Sequence, residues 1–329
     1  MSNNFIFFDL EGPLSPQDNA YDLMKLIPDG GRIFEVISRY DDLLTLEEKP
    51  DYEPGDTLAL IVPFLVRHNI TEANIIALAN KATLVSGAPE LISTLKSKSW
   101  SVFCITTTYE QYARRVAQRI GIATDNVACT TFPLNKLHQA LGKHETQLLE
   151  QAEKDILSMP PGDDAQIKQR LDHLYWQELP ATNLGTIIKQ VKPVGGRRKV
   201  AALKKFTDKY PQPLSQCVVV GDSITDFRMF QAVEEAKGLA IAFNANEYAL
   251  PYATLGLAST HLSDLLPVLE VWQNGNRSDV QKFVRQKERG NAGDRNNFHW
   301  LSGRKNIDDI IKLHKRIRRL VREEAGKLG

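Results

Sequence analysis

The stretch Val218-Val219-Val220-Gly221-Asp222-Ser223-Ile224-Thr225-Asp226 decides how the rest of the chain is read. Three β-branched apolar residues run into a glycine, and two aspartates follow at a spacing of four. Such a run reads as a strand buried in a parallel sheet, and a ligand of an open α/β sheet lies off the carboxyl ends of its strands. That places Asp222 where chemistry occurs. A Gly-Asp pair also marks an ordinary turn, so the aspartate needs a partner from another strand.

The partner lies more than two hundred residues earlier. Phe5-Ile6-Phe7-Phe8 is a short apolar run of strand type, ended by Asp9-Leu10-Glu11-Gly12-Pro13. Gly12-Pro13 stops the strand abruptly, so Asp9 falls at its carboxyl edge with Glu11 two residues on. From Ser15 to about Val85 the spacing turns helical. Ser15-Pro16-Gln17-Asp18 has the form of a capping box, and Ala20–Leu26, Arg32–Leu46, Asp56–His68 and Thr71–Leu84 carry apolar residues three and four apart.

Further on, Gly87-Ala88-Pro89-Glu90 opens a helix through Leu95, and Trp100–Ile105 reads as a second buried strand ending in Thr106-Thr107-Thr108. A hydroxyl-rich strand end running into the helix Glu110–Ile120 is either a phosphate cradle or a threonine N-cap. Asn126–Phe132 makes a third strand. Leu134 to Gln177 is charged and helical, broken at Met159-Pro160-Pro161-Gly162 and continuing to Val191, which reads as a helical hairpin projecting from the core. Gly195-Gly196-Arg197-Arg198-Lys199 then starts the helix Val200–Tyr210. Cations at a helix start oppose the macrodipole, so they are either solvated or placed there for an anion. The opening stretch supplies strand four, Phe227–Lys237 a helix, and Gly238–Phe243 strand five. Strands alternating with helices in this way imply a doubly wound parallel sheet of the α/β class.

Bulk properties bound the reading. With 329 residues, 42% of them hydrophobic and 25% charged, the chain has the composition of a globular protein and is not disordered as a whole. No apolar run approaches the roughly 18 to 20 residues that span a bilayer, and the N-terminus carries no basic leader, so we expect a cytoplasmic protein without a membrane partner. Cys104, Cys129 and Cys217 are widely spaced beside apolar runs and read as reduced core residues. The formal net charge is only +1, but Asn274–Gly329 holds 15 Lys and Arg against 7 Asp and Glu. Within it Arg285–Asn297 reads as a loop and Asn306–Glu324 as a helix with Ile307, Ile310, Ile311, Ile317, Leu320 and Val321 on one face. That helix is expected to dock on its own core, on a twin subunit in a homodimer, or on a protein partner. The charge has no interleaved aromatics, which speaks against nucleic acid.

Asp9 with Glu11, Thr106, Lys199, and Asp222 with Asp226 thus fall in order at successive strand ends or helix starts. In this the chain resembles the haloacid-dehalogenase superfamily, whose motifs are an Asp-x-Asp loop, a Ser or Thr at a strand end, a Lys and a Gly-Asp-x-x-x-Asp segment. It is most similar to the phosphoserine-phosphatase-like members. Asp-x-Glu-Gly-Pro-Leu is also similar to an archaeal group labelled as a subunit of an energy-converting hydrogenase.

The superfamily resemblance implies a Mg²⁺-dependent phosphatase acting on a small phosphorylated metabolite, with Asp9 as the nucleophile that forms an aspartyl-phosphate. It implies Asp9, Asp222 and the Glu11 backbone carbonyl as metal ligands, with Asp226 either a ligand or a support behind them. Lys199, Thr106 and Thr107 would hold the phosphoryl oxygens. Glu11 would be the general acid and base, and it departs from the Asp usual at that position by one methylene, about 1.5 Å. A phosphomutase would use the same core. An assembly protein with a catalytically weak core, recruiting a partner through its insertions and basic tail, is the alternative from another class.

The expected organisation is a core of residues 1–15, 86–133 and 193–272, a helical cap at 16–85 inserted after strand one, a second helical insertion at 134–192 after strand three, and a basic loop and C-terminal helix at 273–329. In the family such a cap closes over the site and selects substrate, and Arg32, Arg39 and Arg67 are its candidate readers of a leaving group.

Overall fold

The computed structural model describes residues 4–160, 162–288 and 293–322. Its framework is a seven-stranded sheet made of β1 (Phe5–Phe8), β2 (Ser101–Tyr109), β3 (Val127–Thr130), β4 (Cys217–Gly221), β5 (Leu239–Phe243), β6 (Leu255–Ala258) and β7 (Asn297–Trp300), in the order β3-β2-β1-β4-β5-β6-β7. The first six are parallel, as expected from strands alternating with helices. β7 is antiparallel to β6, with Leu257 opposite Phe298.

β7 corrects the expected organisation. The segment Asn274–Gly329 is no appendage to a finished sheet, because it supplies the sheet's last strand. The expected loop Arg285–Asn297 is also divided: Arg277–Glu288 is helical and Asn297 opens β7, while residues 289–292 lie outside the described ones. β6 and β7 are short and only moderately apolar, so neither stands out in the sequence as the earlier runs do.

Side chains of the central strands alternate between two buried faces, as the two-residue repeat of a strand requires. Phe5, Phe7, Phe103, Ile105, Cys217 and Val219 face the helices Arg197–Lys209 and Phe227–Glu235, which contribute Leu203, Phe206, Met229 and Phe230. Ile6, Phe8, Cys104, Val218 and Val220 face the other way, into a core continuous with the helical insertions. Phe7 and Phe103 stack at 4.7 Å between centroids, with Phe206 4.8 Å from Phe103.

Helices Asn19–Met24, Gly30–Leu46, Thr57–Arg67 and Glu72–Lys81 follow β1, as the helical spacing predicts. The cap of the first helix differs. Asp18, not Ser15, accepts from the Tyr21 N–H, while Ser15 donates to Gln17 and to the Thr83 carbonyl.

The second insertion also corrects expectation. Its helices Lys143–Ser158 and Asp164–His173 bury Leu149, Ala152, Ile156, Ile167 and Leu171 in the same core as Ile37, Tyr40, Ile61 and Phe64 of the first insertion. Arg39 forms a bidentate pair with Asp164, Tyr40 donates to Asp172 at 2.6 Å, and Arg67 pairs with Glu153. The segment is thus the outer layer of one helical body and not a projecting hairpin. Arg32 reaches the Met159 carbonyl at 3.1 Å, so all three arginines expected to read a leaving group tie the two insertions together instead. Pro161, within the expected break, lies outside the described residues.

Because Phe103 joins two stacked neighbours in the face that carries helix Arg197–Lys209, Phe103→Ala is expected to cost about 3–5 kcal/mol of stability in urea unfolding. A loss below about 1 kcal/mol would show that this face does not position the helix.

Candidate active site

Register brings the opening stretch and its distant partner together. Phe8 lies opposite Val220 on one side and Cys104 on the other, and the Asp9 N–H donates to the Val220 carbonyl at 2.8 Å. Asp9 therefore stands level with the end of β4, and Asp222 is the residue just past that end. The turns on both strands need glycine. A Cβ on Gly12, at φ +97°, would lie 2.2 Å from the Asp222 carboxyl carbon, and one on Gly221 2.4 Å from that of Asp226.

Four side chains converge there, all almost wholly buried: Asp9, Lys199, Asp222 and Asp226. The Lys199 ammonium lies 2.7 Å from Asp9 Oδ2 and 2.7 Å from Asp226 Oδ1. The other oxygen of Asp226 accepts from the N–H groups of Asp222 and Ser223 at 2.9 and 3.1 Å. Asp226 is therefore spoken for on both oxygens and acts as the brace of the loop. Thr106 is fully buried one residue past the level of Asp9 on the neighbouring strand, its hydroxyl donating to Thr108 Oγ1 at 3.0 Å and accepting from the Thr108 N–H. Thr107 is buried with its methyl against Gly55 of the first insertion and Gly195, at the seam between sheet and cap.

Burial dominates the electrostatics. It pushes the Asp9 carboxyl up to about 7, with Lys199 pulling against it and Asp226 and Asp222 adding to it. Burial also works against the Lys199 ammonium, but the carboxylates of Asp226 and Asp9 outweigh it and hold that pKa above the usual lysine value. Glu11 is pushed up to about 8 by burial first and by the Asp18 carboxylate second, against the Asn19 N–H, which donates to Glu11 Oε1 at 2.6 Å.

A carboxylate oxygen from each of Asp9, Asp222 and Asp226 lies within 4.8 Å of the others. Three hard oxygen donors so close suit a small divalent cation such as Mg²⁺. Asp9 and Asp222 would hold it, with Asp226 behind them.

Two residues of the site escaped the sequence reading. Arg318 and Arg322, on the helix Asp308–Arg322, are buried and both contact Asp222 Oδ2, Arg322 at 3.0 Å. A signal was present: Ile310, His314, Arg318 and Arg322 recur every four residues, and all four are buried. The expected apolar face is accordingly rotated. Ile310 and Ile317 are buried, whereas Leu320 is 54% exposed, and the expected last residues Glu323 and Glu324 lie outside the described ones. A cavity of about 200 Å³ opens between the two insertions beside Tyr52, Leu60, Tyr175, Trp176 and Arg198. Asp9, Thr106, Lys199 and Asp222 do not line it, so it is separate from this cluster.

The sheet order and the placement of these residues at its carboxyl edge are those of the doubly wound α/β class expected from the sequence. More particularly, the chain is similar to the structure of gene product AF1437 from Archaeoglobus fulgidus, over 100% of this chain and 99% of that one, with 27% sequence identity and a TM-score of 0.86. A phospho-aspartyl intermediate analogue of phosphoserine phosphatase aligns over 81% of this chain and 99% of that one, at 16% identity and a TM-score of 0.49. A probable phosphoserine phosphatase from Vibrio cholerae aligns over 78% and 60%, at 16% identity and 0.48. No protein-family model and no curated protein matches the chain.

The raised pKa of Glu11 has a consequence for stability. Between its ordinary 4.5 and about 8 the folded protein binds a proton that the unfolded chain lacks, so stability falls as pH rises through that window. Asp9 acts in the same sense. In chelator-treated protein Glu11→Gln is expected to match wild type near pH 5 and to exceed it by about 1 kcal/mol or more near pH 8, since each pKa unit is worth about 1.4 kcal/mol. Parallel stability curves for the two proteins would contradict the protonated, half-buried Glu11.

Proposed function

We propose that the chain is a phosphatase that hydrolyses a small phosphorylated metabolite through an aspartyl-phosphate on Asp9. The observation that carries this reading is the Lys199 ammonium held 2.7 Å from both Asp9 and Asp226, beside Asp222. A structural ion pair would need one carboxylate. Here one lysine, a strand-end carboxylate and two further acids share a buried site whose glycine turns leave no room for side chains.

In the first half-reaction an Asp9 oxygen forms a bond to phosphorus as the bond to the leaving oxygen breaks, and Glu11 supplies the proton that the leaving oxygen needs. Its carboxyl is suited to this because, with a pKa of about 8, it holds a proton near neutral pH. In the second, water attacks phosphorus, Glu11 takes the water's proton, and Asp9 is freed. Lys199 and the Thr106 and Thr107 groups would hold the phosphoryl oxygens. Mg²⁺ bound by Asp9, Asp222 and the Glu11 carbonyl would offset the repulsion between the carboxylates and a phosphate dianion.

The cap set over the site by the first insertion would exclude water and choose the substrate. The core, cap, second insertion and tail drawn from the sequence belong to this proposal, with the amendment that the tail completes the sheet. So does a cytoplasmic setting, where Cys104, Cys129 and Cys217 stay as the free thiols found here. Among the described residues no helix is long and apolar enough to cross a membrane.

The test is phosphate release from p-nitrophenyl phosphate with Mg²⁺. Asp9→Asn is expected to lower the rate by about 10³-fold or more and Glu11→Ala by about 10²–10⁴-fold, the range typical of a general acid and base. Undiminished activity in Asp9→Asn would overturn the mechanism.

A further inference from the structure

Asp222 has a second set of partners that hydrolysis at Asp9 does not call for. Arg318 donates from Nη1 to Asp222 Oδ2 and, at 3.3 Å, to the Asp222 carbonyl. Arg322 donates from Nη1 to the same Oδ2 at 3.0 Å. It also donates from Nε to the Pro16 carbonyl at 3.0 Å and from Nη2 to the Gln17 carbonyl at 3.4 Å, in the segment that leads from β1 into the cap. Arg318 is 3% and Arg322 9% exposed. Guanidinium groups keep their charge in proteins, so both are permanent cations inside the site.

With all three aspartates ionised, the charges at the cluster balance without any ion. Asp9, Asp222 and Asp226 face Lys199, Arg318 and Arg322, each carboxylate in contact with at least one cation. A divalent cation drawn to Asp222 would meet two positive groups already on one of its oxygens, and like charges at such distances in a dry site repel strongly. The helix that brings these arginines also holds the chain leading into the cap, and none of the four central side chains is more than 3% exposed.

We propose that the helix Asp308–Arg322 is an internal competitor for the metal site: Arg318 and Arg322 occupy Asp222 in place of a divalent cation, and the helix must release Oδ2 for the cation to bind at full strength. The inference rests on reading Asp9, Asp222 and Asp226 as a metal site. It makes the tail a restraint on the site, set by the chain itself. Release of the helix would free Asp222 and the chain leading into the cap in one movement, because Arg322 spans both.

The experiment is a calorimetric titration of the full chain with Mn²⁺, followed in parallel by the spin-resonance signal of free Mn²⁺. Arg318→Met, which keeps an unbranched apolar stem and removes the charged end, is expected to bind Mn²⁺ at least tenfold more tightly than wild type, and Arg318→Lys to stay near wild type. Equal or weaker binding by Arg318→Met, with wild-type melting behaviour, would overturn the competition while leaving the metal site standing. No Mn²⁺ binding by any form would remove the metal site and the competition with it. Should Arg318→Met fail to fold, hydrogen exchange on wild type decides: saturating Mn²⁺ is expected to speed amide exchange across 308–322, and unchanged exchange there would overturn the proposal.

Discussion

One buried ammonium constrains the architecture. Lys199 is fully enclosed, and an enclosed charge is tolerated only with partners close enough to repay its lost hydration. It has two, each at 2.7 Å: Asp9 at the end of β1 and Asp226 past the end of β4. Meeting both requires β1 and β4 to be neighbours, which the strand order provides by inserting β4 next to β1 although both insertions and two strands, β2 and β3, intervene in sequence. It also requires the helix Arg197–Lys209 to start just above that seam. Its opposite end is fixed by Leu203 and Phe206 packed on Phe7 and Phe103. The aromatic layer under the sheet and the ion pairs above it are therefore one device, and the glycines at 12 and 221 are the clearance it needs.

Much of this was legible because it depends on local signals. β1, β2, β4 and β5 are continuous apolar runs, and such runs have few alternatives to a buried parallel strand. Asp9, Lys199 and Asp222 each follow a strand or open a helix, and the family resemblance implied their convergence, whereas Thr106, expected past its strand's end, lies within β2, which runs on to Tyr109. What was not legible depends on contacts between distant segments. Nothing within Lys143–Ser158 says that Leu149 and Ile156 meet the first insertion, since an amphipathic helix looks the same whichever body covers it. Arg39 and Arg67 likewise read as candidate readers of a leaving group until Asp164 and Glu153 arrive from more than eighty residues away.

The C-terminal segment shows the same limit in terms of charge. Its surplus of Lys and Arg invites a reading in which an acidic partner is sought outside the chain. The partners are inside. Arg277 pairs with Glu234, Arg295 with Asp264, Lys315 with Glu247, and Arg318 and Arg322 with Asp222. Each acid comes from the part of the chain whose net charge is negative, so the asymmetry along the sequence is complementarity across a fold. A net charge of +1 is the sum of two opposed halves that have met.

That pairing also sets where the segment docks. β7 pairs with the edge of β6, and the helix Asp308–Arg322 sets Arg318 on Asp222 where β4 and β1 lie side by side. Gly256 on β6 leaves the space: a Cβ there would come within 2.8 Å of His314 Nε2, one turn before Arg318. The side chains that would bind an ion are thus covered by cations carried on a single helix. Besides the ion pairs, that helix is held by Ile310 and Ile317, which are buried, and by His314, whose Nδ1 accepts from the Ala245 N–H at 3.1 Å. Arg322 bonds both Asp222 and the Pro16 carbonyl, so the covered carboxylate and the chain leading into the cap are held by the same side chain.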